Sequence, residues 1–158
     1  MIEEALRRIQ VSKDENLHYV DLKGLNLDKI PNEILDLPDI QVISLSKNNL
    51  TDITILEQLP NIHKLALTEN KISDISILEK LPKLRFIFLG HNQVDDITPV
   101  VNHPRLKKLV LNNNKLSFLP DLSHIPLLAY LDISMNPLTP PEPSLLRPMV
   151  PLLKIYKT

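Results

Sequence analysis

The side chains that could support chemistry in this chain are five histidines and a set of aromatic and basic residues. The histidines are His18, His63, His91, His103 and His124, and no two stand four residues apart, the spacing that brings two metal ligands to one helix face. The chain has no G-x-S-x-G motif, no cysteine and only two glycines, which argues against nucleophilic catalysis and glycine-rich phosphate loops. We therefore predict no catalytic residue, no metal site and no cofactor.

Aromatic and basic residues recur at a constant spacing around Phe86 and Phe88. Lys64 and Lys108 stand 22 residues before and after Phe86. Aromatic anchors inside a charged rim are the composition of a protein-binding hot spot. The alternative is that these aromatics are scattered, or stack and shield one another. The predicted binding residues are Lys64, Arg85, Phe86, Phe88, Lys108, Val110, Tyr130 and Asp132.

The same spacing runs through most of the chain as an eleven-residue frame, L-x-x-L-x-L-x-x-N-x-L. The frame starts at Ile40, Ile62, Leu84, Leu106 and Leu128. Its ninth position is Asn48, Asn70, Asn92, Asn114 and Asn136. An earlier, longer repeat begins at Leu17 and has Leu25 at the asparagine position. Counting 22 residues onward from Leu128 predicts a truncated seventh repeat with Val150, Leu153 and Ile155, in step with a proline column that ends at Pro148.

Simple physical rules turn this frame into structure. Apolar fourth and sixth positions between polar neighbours predict half-buried strands, which stack as a parallel sheet. The asparagines can satisfy backbone groups of the turn and form a structural ladder. In the return segments, Thr54 with Glu57 and Ser76 with Glu79 resemble capping boxes and predict short α- or 3₁₀-helices. An apolar stripe predicts a helix over residues 2–11 that covers the first repeat.

These repeats resemble the leucine-rich-repeat family, in particular the 22-residue subclass of bacterial internalins and of a phosphatase-1 regulatory subunit. The resemblance implies an α/β solenoid with about seven parallel strands on its concave face, short helices on its convex face and an N-terminal capping helix. We expect one domain over residues 1–158. It comprises a helical cap (1–16), six in-register repeats (17–136) and a proline-rich region with the truncated seventh repeat (137–158).

Positions three, five and seven of the frame are predicted to project from the concave face. Folding does not require them to be buried, so the residues found there are informative about binding. Five of the six aromatics fall in these columns, including Tyr19 and Tyr156. Position two adds a stripe that makes one edge of the sheet basic, whereas the return segments carry acids. This segregation favours a partner with an acidic patch, the alternative being ordinary solvated charge. The stripe comprises His18, Gln41, His63, Arg85 and Lys107.

The resemblance implies a non-enzymatic module that binds another protein through its concave face. The alternative is a sensing portion of a larger signalling system, or a regulatory subunit of an enzyme supplied in trans. The formal net charge of -1 and the acids among the aromatics argue against nucleic acid. No apolar run is long enough to span a membrane. The absence of cysteine and of a secretory signal favours the cytoplasm. We expect a monomer because Lys154 and Lys157 discourage pairing at the last strand, while an edge-to-edge dimer stays open.

Overall fold

The structure is a computed structural model that describes all 158 residues, and it contains seven three-residue strands joined by return segments. The strands form one parallel sheet in chain order, β1 to β7. The predicted solenoid architecture is therefore confirmed. The strands are β1 (Tyr19–Asp21), β2 (Val42–Ser44), β3 (Lys64–Ala66), β4 (Phe86–Phe88), β5 (Lys108–Val110), β6 (Tyr130–Asp132) and β7 (Ile155–Lys157).

The register of the central strands follows the 22-residue period. Ile43 pairs with Leu65, and Leu65 pairs with Ile87. Repeats of equal length stack each inward side chain on its equivalent, so all three are completely buried. They belong to a single core of 43 buried hydrophobic residues. Burial of each such side chain contributes about 1.5–3 kcal/mol, and the core therefore holds the strands in this register.

The return segments contain the predicted short helices, all of the 3₁₀ type, at Asn32–Asp36, Thr54–Gln58, Ser76–Lys80 and Thr98–Val100. The predicted capping boxes are wrong, because neither Thr54 nor Ser76 makes a side-chain cap bond. Each is the first helical residue. The aspartate two residues earlier accepts its backbone N–H instead, Asp52 from Thr54 at 2.8 Å and Asp74 from Ser76 at 2.8 Å. These hydrogen bonds lower the pKa values of Asp52 and Asp74.

The N-terminal helix α1 spans Ile2–Asp14, three residues beyond the predicted end. Its buried side chains are Ala5, Ile9 and Ser12, and the Ser12 hydroxyl donates to the carbonyl oxygen of Tyr19 at 2.9 Å. The helix therefore covers the first strand through both apolar packing and a hydrogen bond. Neither α1 nor any other helix combines the length and the apolar character that crossing a bilayer requires.

The last repeat is the place where the sequence-based register is wrong. Residue Tyr156 pairs with Leu131, and Ile155 pairs with Tyr130, so this repeat is 25 residues long. The extra length lies in the proline-rich return segment, which contains a one-turn helix, α2 (Pro143–Leu146). Val150 therefore occupies the buried position that Ile125 has in the preceding repeat. The N–H of Leu153 donates to the carbonyl oxygen of Val150 at 3.0 Å, as the N–H of Leu128 donates to that of Ile125 at 3.0 Å.

The proline column changes with the register. Pro151, rather than Pro148, follows the buried Val150, as Pro126 follows Ile125. Tyr156, predicted to project from the concave face, stands opposite the inward Leu131 and is half-buried. Its hydroxyl donates to the carbonyl oxygen of Pro141 at 3.1 Å. The hydroxyl thus ties the end of the sheet to the irregular return segment.

Candidate binding surface on the concave face

The predicted aromatic and basic side chains are neighbours on the sheet. In one row across the strands, Lys64 pairs with Phe86, Phe86 with Lys108, and Lys108 with Tyr130. Phe86 is half-buried, as are Lys108 and Tyr130, whereas Lys64 is exposed. The adjacent row contains Ala66, Phe88, Val110 and Asp132. The structure therefore brings the sequence-predicted residues together on β3 to β6.

The ring of Phe88 lies between two lysines from neighbouring strands. The Nζ atom of Lys64 is 5.8 Å from the ring centroid, and that of Lys108 is 5.3 Å from it. Lys108 also lies 4.1 Å from the centroid of Tyr130. Cation–π contacts at exposed sites contribute about 0.5–1 kcal/mol each. The lysines are therefore held against aromatic rings, and the surface presents alternating positive and aromatic groups.

Phe86 is contacted in the same way from the edge of the sheet. The guanidinium carbon of Arg85 is 5.6 Å from the centroid of Phe86. The two residues are adjacent in the chain, and the backbone N–H of Arg85 donates to the carbonyl oxygen of His63 at 2.8 Å. Arg85 thus connects the aromatic surface to the basic stripe where the strands begin.

Asp132 has a different environment from the other predicted binding residues. It is 8% exposed. Its Oδ1 atom accepts the backbone N–H of Ser134 at 3.1 Å and the Ser134 hydroxyl at 2.6 Å. The carboxylate is therefore already hydrogen-bonded within the turn after β6, and a partner group would have to replace these bonds in order to bind it.

Three features of this surface were missed from the sequence. Ile155 and Lys157 stand beside Tyr130 and Asp132, and Lys157 lies 5.6 Å from the Tyr130 centroid. The displaced proline, Pro151, was the signal that could have located them.

The third feature is a shallow depression of about 390 Å³ bordered by Phe88. Small residues at positions five and seven line it together with three lysines and Glu69, which forms a salt bridge with Lys47 at 3.6 Å. The small residues are Ser44, Ser46, Ala66 and Thr68, and the lysines are Lys23, Lys47 and Lys64.

The asparagine column lies beneath the edge at which the strands end. In Asn92, Nδ2 donates to the carbonyls of Leu67 at 2.9 Å and Leu89 at 3.0 Å, and Oδ1 accepts the N–H of Ile72 at 3.0 Å. Asn48, Asn70, Asn114 and Asn136 make equivalent bonds. The residue before each of them has a positive φ, from Lys47 at 58° to Met135 at 57°. Each asparagine therefore links two repeats at a left-handed turn.

The histidines lie apart from one another, and no three His, Cys, Asp or Glu side chains of the chain converge on a site that could hold a metal ion. The ring of His91 contacts the side chains of Asn112 at 3.2 Å and Asn113 at 2.8 Å. His103 is buried among hydrophobic residues, and this burial lowers its pKa. His124 is exposed.

Comparisons with known proteins agree with this fold. A family model described as leucine-rich repeats, two copies, matches residues 38–76 and 60–102. The matched residues, 38–102, are less than half of the chain, and together with the seven-strand solenoid they show that the chain contains leucine-rich repeats. Its repeats resemble those of internalins. Proteins of this family are generally non-catalytic modules that bind other proteins. Among curated proteins, none matches this chain.

Three of the solved structures with a similar fold come from two bacteria. An internalin of Listeria monocytogenes, InlF, is 27% identical over 81% of this chain and 37% of its own, with a TM-score of 0.70. A leucine-rich-repeat protein of Leptospira interrogans, LIC12759, is 24% identical over 82% of this chain and 40% of its own, with a TM-score of 0.67. The functional domain of InlJ from L. monocytogenes is 24% identical over 82% and 28%, with a TM-score of 0.72. The chain thus spans less than half the length of each.

Proposed function

We propose that this chain is a non-catalytic binding module and that a partner protein docks on the concave surface around Phe88. The observation that carries the proposal is the position of this ring, which lies between Lys64 and Lys108 and borders the 390 Å³ depression. A ring fixed in this way loses little side-chain freedom on binding, which reduces the entropic cost of association. A partner side chain can enter the depression while its neighbours pack against Phe86 and Phe88.

The charges around the rings favour an acidic patch on the partner. Lys64, Lys108 and Lys157 each lie against an aromatic ring, and none of them forms a salt bridge within the chain. Partner carboxylates could therefore pair with these lysines without displacing an existing acid. Positive charge of this kind also accelerates encounter with an acidic surface. The proposed partner is neither a nucleic acid nor a membrane.

Truncation of the anchor tests the proposal. Candidate partners captured from the native host are remeasured with purified proteins, comparing the unmodified chain with Phe88→Ala. Removal of a central anchor costs about 2 kcal/mol or more, so the dissociation constant should rise by about thirtyfold or more. Thermal unfolding should change little, since Phe88 is only half-buried. The matched control is Phe118→Ala, because Phe118 is 54% exposed and lies outside the concave columns.

A double Phe86→Ala and Phe88→Ala variant that retains full affinity would place the partner site elsewhere. Direct binding measured at several salt concentrations tests the partner class at the same time. Pairing with partner carboxylates also weakens with salt, so a protein partner is contradicted only if the log–log slope reaches several units, as the release of counterions from several contacted phosphates produces.

A second candidate function is that the chain senses or regulates within a larger signalling system, or regulates an enzyme supplied in trans. Three of the neighbours, InlF, LIC12759 and InlJ, are longer than this chain, which covers 28–40% of their lengths, and a larger system would account for that difference. Adding the chain to its captured partner and assaying the partner's activity separates the two functions. A plain binding module leaves that activity unchanged.

The cellular location and the assembly state belong to the same proposal. The cysteine-free sequence supports a cytoplasmic location, which fractionation of the native host tests. We expect a monomer because Lys154 and Lys157 are both exposed beside β7 and would bring like charges together in an edge-to-edge dimer. Light scattering at several concentrations distinguishes the two states. A dimer that Ile155→Pro converts into a folded monomer would contradict the expectation.

A further inference from the structure

A groove runs across the edge of the sheet where the strands begin, separate from the concave surface. It has a volume of about 430 Å³ and no hydrophobic residue among those that line it. Two neighbouring columns of the repeat form it, at position two and two residues earlier. Backbone bonds of 2.8–2.9 Å join the position-two residues of successive repeats, as from Arg85 to His63 and from Lys107 to Arg85. The sheet therefore sets the spacing of these side chains.

The charge of the groove changes from one end to the other. Its only acid, Asp39, lies at the end near β1 and β2. Lys83, Arg85 and Arg105 line the opposite part, and the exposed Lys107 follows in the position-two column. The edge becomes uncharged in the next repeat, where Leu127 and Ala129 occupy the two columns. The positive charge of the groove thus lies in the repeats of β4 and β5, and the uncharged repeat separates it from Lys154, which continues the position-two column in the last repeat.

None of these four cations has an acidic partner. The chain forms ion pairs elsewhere, for example between Lys80 and Glu57, but none involves the groove. Lys83 donates instead to the amide oxygen of Asn61 at 2.6 Å, and Arg85 lies against the ring of Phe86. Four like charges on two adjacent repeats repel one another. A bound anion would relieve that repulsion without breaking an ion pair.

The lining decides which kind of anion fits. Single-stranded nucleic acid binds proteins through stacking on aromatic rings, and a membrane surface requires apolar side chains that insert. The groove has no apolar side chain and no Phe, Tyr or Trp ring, and its two imidazoles, of His18 and His63, lie outside the part lined by Lys83, Arg85 and Arg105. Arginine guanidinium groups form two parallel hydrogen bonds with carboxylates and with phosphates alike, and because the basic part of the groove has no ring for stacking bases, carboxylates are the better match. The complementary ligand is therefore a polypeptide with several aspartates or glutamates.

We propose that this groove binds an extended acidic segment of a polypeptide through Lys83, Arg85, Arg105 and Lys107. Successive repeats lie about 4.8 Å apart. Side chains on one face of an extended chain lie roughly 6.6 Å apart, and the long lysine and arginine side chains can span the difference. Acidic residues at alternate positions therefore fit over β4 and β5. The end of the segment near Asp39 carries a neutral or basic residue, which gives the ligand a direction.

The groove extends the proposed function, because its occupant is expected to belong to the partner that docks on Phe88. Apart from Arg85, which lies between them, the two sites use different side chains. Their tests can therefore succeed or fail separately.

Fluorescence anisotropy with a labelled ten-residue peptide of alternating glutamate and serine tests the groove directly. The glutamine–serine peptide and a ten-nucleotide oligothymidylate serve as reference probes. The groove variant is Lys83→Glu with Arg105→Glu. Its control, Lys29→Glu with Lys115→Glu, makes the same change of net charge at exposed residues outside the groove. Circular dichroism verifies that both variants are folded.

The unmodified chain should bind the glutamate peptide and not the glutamine peptide. The groove variant should weaken that binding by at least about tenfold, and the control by a much smaller factor, because exposed charges beyond about 10 Å are screened by salt. Phe88→Ala should leave peptide affinity unchanged. Absence of peptide binding, or equal losses in the two charge variants, would overturn the proposal. The proposal would also be overturned if the chain bound oligothymidylate more tightly than the glutamate peptide and the groove variant lost that oligothymidylate binding.

Discussion

The side chain of Asn112 occupies the space into which a Cβ atom on residue 90 would project. Gly90 lacks this atom, and Asn112 also contacts the ring of His91 at 3.2 Å. Gly90→Ala should therefore displace Asn112 and destabilise the chain by roughly 1 kcal/mol, as overpacking does. Chemical denaturation measures the change. In an Asn112→Ala background the cost should vanish, and equal costs in both backgrounds would show that the two residues are not coupled.

The asparagine column should be essential for stability. Asn92→Ala removes the partners of the Leu67 and Leu89 carbonyls and of the Ile72 N–H. Buried backbone groups left unpaired cost about 1–3 kcal/mol, which denaturant unfolding can measure. Asn102→Ala is the control because Asn102 is exposed and lies outside the column. Equal stability of the two variants would mean that the hydrogen bonds contribute nothing.

Stability should decrease in mild acid because of His103. This residue is 3% exposed and occupies a column that holds Leu81 and Ile125 in the neighbouring repeats. Burial lowers its pKa below the ordinary 6.5, so the folded state binds fewer protons than the unfolded state. Stability is retained above the unfolded pKa and is lost as the pH falls from there towards the folded pKa.

The replacement His103→Leu should therefore increase stability by an amount that grows between roughly pH 7.5 and pH 5. Melting temperatures across this range provide the measurement. His124→Gln, at an exposed histidine, should leave the pH dependence of the unmodified chain in place. A constant difference between His103→Leu and the unmodified chain would contradict the protonation mechanism.

The left-handed turn before each asparagine offers a stabilising substitution. Met135 has a φ of 57° and is 71% exposed. A side chain at such a φ costs about 1–2 kcal/mol, and the entropy that glycine loses on folding offsets part of the gain. Met135→Gly should therefore stabilise the chain by up to about 1 kcal/mol. Ser117→Gly, at an exposed residue without a positive φ, should destabilise the chain. If both variants lose stability, backbone strain at Met135 is not the cause of the difference.

The central repeats could be predicted because their regularity leaves one register. Residues 22 apart must pair when equal repeats stack, and this rule alone places Phe86 beside Lys64 and Lys108. The short helices were predicted from capping boxes, and the helices are present although the boxes are not formed. Their capping could not be predicted, because the sequence offered both a threonine and an aspartate, and only the backbone placed Asp52 within 2.8 Å of the free N–H of Thr54.

By itself, the sequence determined the solenoid, the buried columns of the regular repeats and the concave positions of Phe86, Phe88 and Tyr130, since each depends only on nearest-neighbour stacking of near-identical units. Tertiary structure decided what lies outside the period. The proline-rich return before β7 has no repeat to copy, so the pairing of Tyr156 with Leu131 set its length. Lys83 and Arg105 belong to return segments whose course the strand frame does not specify. Each precedes the position-two residue of its repeat by two residues, and only the folded backbone decides that both line the same groove as Arg85.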